Sequence, residues 1–92
     1  MLFDMVVCTD VLEHVEPQYI DETMDKLRAH TGQLALLTFA LRASNKTLPD
    51  GRNTHLIVKD RDWWWRHCKD RWAYVSEIPW RNSETFMAVC FA

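Results

Sequence analysis

Phe3-Asp4-Met5-Val6-Val7-Cys8-Thr9-Asp10-Val11-Leu12-Glu13-His14-Val15 decides how this 92-residue chain is read. Its first half is apolar and β-favouring with no clean polar alternation, the pattern of a central parallel strand covered on both faces. The apolar run then stops at Asp10, Glu13 and His14, so the strand delivers polar side chains to its carboxyl end. Asp10 is predicted to cap a short turn or helix over residues 11–14, its carboxylate accepting from the amides that follow.

Working outward, Pro17 is suited to open a helix, because its fixed φ fits the first turn and its missing N–H costs nothing there. Ile20, Met24 and Leu27 recur on one face, charged residues fill the other, and Gly32 is the expected C-cap. A second apolar run, Leu34-Ala35-Leu36-Leu37-Thr38-Phe39-Ala40-Leu41, has strand length. Strand, helix, strand predicts a right-handed βαβ unit.

The apolar pattern lapses over residues 42–55, where Ser44-Asn45-Lys46 and Pro49-Asp50-Gly51-Arg52-Asn53 read as loop and turn. A connection this long in a compact domain is commonly functional or mobile. Asp60 is the expected N-cap of a second helix with Trp64, Trp65, Cys68 and Trp72 near one face and Trp63 on the surface. Ala73-Tyr74-Val75-Ser76-Glu77-Ile78 and Thr85-Phe86-Met87-Ala88-Val89-Cys90-Phe91 read as antiparallel strands joined through residues 79–84. Three segments should then meet at the carboxyl edge of the parallel strands: residues 10–14, the 42–55 loop, and Pro79-Trp80-Arg81-Asn82. Ligands of open α/β sheets bind at that edge.

Composition narrows the classes. With 48% hydrophobic and 26% charged residues the chain has a globular balance and the length of one small domain. A formal net charge of −2 offers no basic footprint, which argues against nucleic acid as a partner. No stretch has the roughly 20 apolar residues of a membrane span, and the start lacks the pattern of a signal peptide. Cys8, Cys68 and Cys90 are odd in number and far apart, as expected of reduced thiols in a cytoplasmic protein. His67-Cys68 has no partner at metal-ligand spacing, so no metal site is expected. Three consecutive Trp residues, without a basic groove, suit a core or an interface better than a base-stacking platform.

Phe3-Asp4-x-Val6-x-x-x-Asp10-Val11-Leu12-Glu13-His14-Val15, a helix opened near Pro17, and Gly32-x-Leu34-x-Leu36 together resemble the second half of a class I S-adenosylmethionine-dependent methyltransferase. Leu48-Pro49-Asp50-Gly51-Arg52-Asn53-x-His55 and the Trp-rich helix resemble small phage and bacterial members. The resemblance covers nearly all of the chain. It implies an α/β fold, a partial doubly wound, Rossmann-like methyltransferase sheet with two main helices, spanning residues 1–92 as a single half-domain. In the family's numbering the strands would be 4, 5, 6 and 7 in the order 4-5-7-6, with strand 7 antiparallel. It further implies methyl transfer to an acceptor that is not readable from the sequence, a small molecule being one class. Cys8, Thr9 and Asp10 would border S-adenosylmethionine, and Glu13, His14 and His55 would face the acceptor as catalytic residues.

The family's Gly-rich loop and its ribose-binding acid have no counterpart here, and Gly occurs only at positions 32 and 51. The resemblance therefore implies an apolar strand, residues 3–8, with an unpaired edge. That edge is expected to pair with another copy, giving a homo-oligomer, or with a polypeptide supplying the N-terminal half. The competing expectation is a noncatalytic interaction or oligomerisation module derived from such an enzyme.

Overall fold

The computed structural model describes residues 1–79 and 82–92. Four strands, β1 (Phe3–Cys8), β2 (Thr31–Ala40), β3 (Tyr74–Ile78) and β4 (Thr85–Phe91), form one sheet in the order β1-β2-β4-β3. β1 and β2 are parallel, while β4 runs antiparallel to both β2 and β3. This is the mixed sheet expected from the sequence, with two helices, α1 (Ile20–His30) and α2 (Arg61–Lys69).

Helix α1 is preceded by a 3-10 turn over Pro17–Tyr19, so Pro17 opens the helical segment as expected. The helix turns Met24 and Ile20 inward. Its C-terminus departs from expectation. The helix ends at His30, Thr31 begins β2, and the Thr31 hydroxyl donates to Leu27 O at 2.7 Å. Gly32 lies within β2 rather than at a C-cap, and the reason is long-range. A Cβ there would sit 2.7 Å from the carbonyl oxygen of Phe3, where the β1–β2 register shifts between Phe3 and Met5. Only a residue without Cβ lets the two backbones approach this closely.

Helix α2 begins as predicted: Asp60 Oδ1 accepts from Trp63 N at 2.9 Å. Trp64, Cys68 and Trp72 are buried. Trp63 is not left on the surface; it is half-buried, its ring 4.2 Å from that of His67 and edge-on to Trp64.

Both helices pack on the same side of the sheet. Asp21 and Asp25 of α1 meet the Arg71 guanidinium just beyond α2, at 2.9 and 2.8 Å. Under them lie Ala35, Leu37 and Phe39 of β2, Phe86, Ala88 and Cys90 of β4, and Val75 of β3. Phe39 stacks on Trp64 with ring centroids 4.4 Å apart. Cys68 and Cys90 touch in this core. Their mutual hydrogen bond, then burial, pushes the Cys68 thiol far above its ordinary range.

The other side of the sheet is different. In register across it run Met5, Leu34, Phe91 and Tyr74, then Val7, Leu36, Val89 and Ser76. Met5, Val7 and Tyr74 are more than half exposed, and Phe91 is exposed too. The expectation that β1 is central and covered on both faces is thus corrected. Among the described residues β1 pairs only with β2, and only Val6 and Cys8 are half-buried. The apolar run needs cover on two sides, whereas both helices lie on one.

Candidate functional site

A polar cleft of about 370 Å³ opens at the carboxyl end of β1 and β2. It is lined by Asp10, Glu13 and His14, by Arg42 and His55 from the long loop, by Asn82 and Glu84 from the β3–β4 connection, and by Thr85 at the start of β4. The three segments expected at this edge therefore converge. Of the third, Trp80 and Arg81 lie outside the described residues.

Asp10 turns the chain out of β1. It adopts φ 59, a left-handed conformation that short polar side chains tolerate better than most, and its N–H donates to Thr38 Oγ1 at 3.1 Å. It is not the helix cap anticipated from the sequence. The 3-10 turn Leu12–His14 starts from Val11 with no side-chain cap. The left-handed backbone points the chain into the turn instead.

That turn buries Leu12 and Glu13. Glu13 is only 1% exposed, and it ties two elements together. Its Oε1 accepts from Ala40 N at the end of β2 at 2.7 Å, and its carbonyl oxygen accepts from Ile57 N at 3.1 Å. Its Oε2 is buried with no hydrogen-bond partner among the described residues. A buried carboxylate oxygen without a donor is costly and uncommon.

The two histidines stand edge to face with ring centroids 4.9 Å apart. His14 Nδ1 lies 2.8 Å from the Thr54 carbonyl and His55 Nδ1 lies 2.6 Å from the Arg42 carbonyl. A carbonyl only accepts, so each Nδ1 carries a proton, and in the neutral form of either ring Nε2 is the lone-pair acceptor. His14 Nε2 is 3.8 Å from the orphan Glu13 Oε2.

The loop that carries His55 is well braced. Asn53 Oδ1 accepts from Ser44 N and from His55 N, each at 2.9 Å, and its Nδ2 donates to Ser44 O. Gly51, at φ 90, makes the turn. Arg52 forks onto both oxygens of Glu16 at 2.9 Å and also reaches Asp50 at 2.8 Å. Its guanidinium holds the Glu16 carboxyl below its usual range, and its backbone N–H, then its guanidinium, do the same for Asp50. Arg42 is paired with Glu84 at 2.9 Å across the cleft.

Four of the six residues singled out from the sequence, Asp10, Glu13, His14 and His55, line the cleft; Cys8 and Thr9 do not. Cys8 lies half-buried beside the core, where burial and the Glu13 carboxylate push its thiol up. Sequence reasoning missed Glu84 and Thr38. The only signal for Thr38 was a hydroxyl inside an apolar strand run, and nothing local marked Glu84. Among the described residues no group of three His, Cys, Asp or Glu could hold a metal ion, and no helix is long and apolar enough to cross a membrane.

The four-strand mixed sheet and its two helices are similar in fold to part of a solved methyltransferase structure. One solved structure similar to it is magnesium protoporphyrin IX methyltransferase from Synechocystis PCC 6803 with bound SAH, at 18% identity and a TM-score of 0.66. The match covers 98% of this chain and 44% of that one, so the chain spans less than half the length of the protein it matches. No protein-family model and no curated protein matches the chain.

Proposed function

We propose that this chain forms the acceptor-side part of a methyltransferase that uses S-adenosylmethionine. The observation that carries the reading is the buried Glu13 beside His14 and His55, at the sheet edge where this fold binds ligands. Three carboxylates, Asp10, Glu13 and Glu84, face the cleft against one guanidinium, Arg42, among the described residues. That donor set suits a cationic sulfonium. When bound, the cofactor supplies an electrophilic methyl group. Asp10, with Cys8 and Thr9 behind it, borders the cofactor side, while Glu13, His14 and His55 hold the acceptor. His14 Nε2 is free to take a proton from an acceptor that must lose one, and Glu13 Oε2 at 3.8 Å steadies the resulting imidazolium. Alignment of acceptor and methyl supplies much of the acceleration in such displacements.

The remaining cofactor contacts come from polypeptide outside residues 1–92, or from a second copy, docked along β1. The free β1 edge and the open apolar sheet face support that part of the reading. They equally favour a second reading, a noncatalytic oligomerisation module. Calorimetry with S-adenosylhomocysteine separates the two. Tight binding by the associated chain is expected where a second copy supplies the remaining contacts; a chain that associates stably yet gives no binding heat belongs to the module reading.

A further inference from the structure

We propose that the acceptor side of the cleft is a site for a protonated primary amine, whose N–H groups bridge Glu13 Oε2 and the Nε2 atoms of His14 and His55. The proposal names the acceptor class within the methyltransferase reading and rests on that reading for the transfer itself, although the binding site stands without it.

Both histidine rings spend their Nδ1–H on backbone carbonyls, at 2.8 Å for His14 and 2.6 Å for His55, so in its neutral form each ring keeps one acceptor, Nε2. Glu13 Oε2 is a further acceptor, buried and without a donor among the described residues. His14 Nε2 and Glu13 Oε2 lie 3.8 Å apart. That separation is too long for a direct bond, and it lets one donor atom lie within hydrogen-bond reach of both. A hydroxyl has one proton and can satisfy only one of the two. An ammonium has three donors and no acceptor, which matches three acceptors.

Charge points the same way. Arg42 is already committed to Glu84 at 2.9 Å, leaving the cleft net negative among the described residues. A carboxylate or phosphate ligand would meet that charge unfavourably, whereas a cation gains from a desolvated carboxylate.

In the transfer that follows, the ammonium first gives one proton to His14 Nε2. The freed nitrogen lone pair then forms the N–CH3 bond as the S–CH3 bond breaks, its electron pair returning to sulfur. The products are the protonated N-methyl amine, neutral S-adenosylhomocysteine and imidazolium His14. Proton and charge both balance.

The test uses the full chain and three probes with one body: benzylamine, benzyl alcohol and benzoate, titrated at pH 7.5 by calorimetry and by 15N shifts of the histidine rings. Binding of benzylamine about tenfold or more tighter than benzyl alcohol is expected, as for a hydrogen-bonded charge, with benzoate weakest. His14 and His55 ring nitrogens should shift and those of His30 should not. Glu13→Gln, whose oxygen can still serve Ala40 N, should lose about tenfold of the amine affinity because the charge is gone. Equal affinity for amine and alcohol on the unaltered chain overturns the proposal, with no dependence on how the variant folds. So does a free-chain spectrum in which His14 is already imidazolium. Amine binding without methyl transfer would leave this site standing and sink the methyltransferase reading; transfer to alcohols with no amine binding would do the reverse.

Discussion

The two faces of the sheet carry similar apolar content and meet different fates. On one, Leu37, Phe39, Phe86 and Cys90 lie fully buried beneath α1 and α2. On the other, Met5, Val7, Leu36 and Phe91 form an apolar layer with no helix over it among the described residues. The molecule is correspondingly thin, 18 Å along its shortest axis. Face-to-face layers are spaced about 10 Å apart, so this is two layers of a sheet patterned for three. Apolar pattern records what a strand is meant to touch, and its exposure marks where a partner belongs.

Neighbouring residues of β2 separate the two faces most strongly. Leu37→Ala, beneath the helices, should cost about 2–5 kcal/mol in chemical denaturation, as buried Leu truncations do. Leu36→Ala, on the open face, should cost clearly less in the dilute chain and more once the chain is associated. Equal costs would mean that the open face is already covered. Gly32→Ala comes next. Its Cβ would meet Phe3 O at 2.7 Å, forcing β1 away from β2, and a loss of about 1–3 kcal/mol is expected, with amide exchange rising in β1 before it rises in β4.

Asp10→Gly has a smaller and opposite effect. Relief of the left-handed backbone at φ 59 should raise stability by about 1 kcal/mol while weakening cofactor binding, which separates the turn from the ligand role of the side chain. The smallest effect lies on the covered side. Burial, opposed by Asp21 and reinforced by Arg71, holds the His67 imidazole below its ordinary 6.5. The unfolded chain therefore takes up the proton first as pH falls. Stability from this residue is complete above about pH 6.5 and declines below it, until the folded-state value is passed. His67→Gln should flatten that part of the stability profile in a pH series of thermal melts.

Features written in short spans of chain were legible in the sequence. The βαβ unit, the Asp60 cap, the β3–β4 pair and the convergence of three segments at one edge follow from periodicity, capping chemistry and strand polarity. Features set by distant chain segments were not. Gly32 looks like a helix stop until Phe3 is seen against it. Asp10 looks like a cap until its backbone is seen to be left-handed. Glu13 could be assigned to the site, but its burial depends on Ala40 and Ile57, residues far along the chain. Which face of β1 is covered depends on where the helices fall, and strand composition does not record that.

Light scattering of the 92-residue chain at rising concentration tests whether a second copy covers the open face and the β1 edge. A mass that climbs to a multiple of 10.9 kDa, and returns to that value when Val7→Lys charges the open face, is the expected result. A mass that stays at 10.9 kDa at high concentration would contradict association through β1.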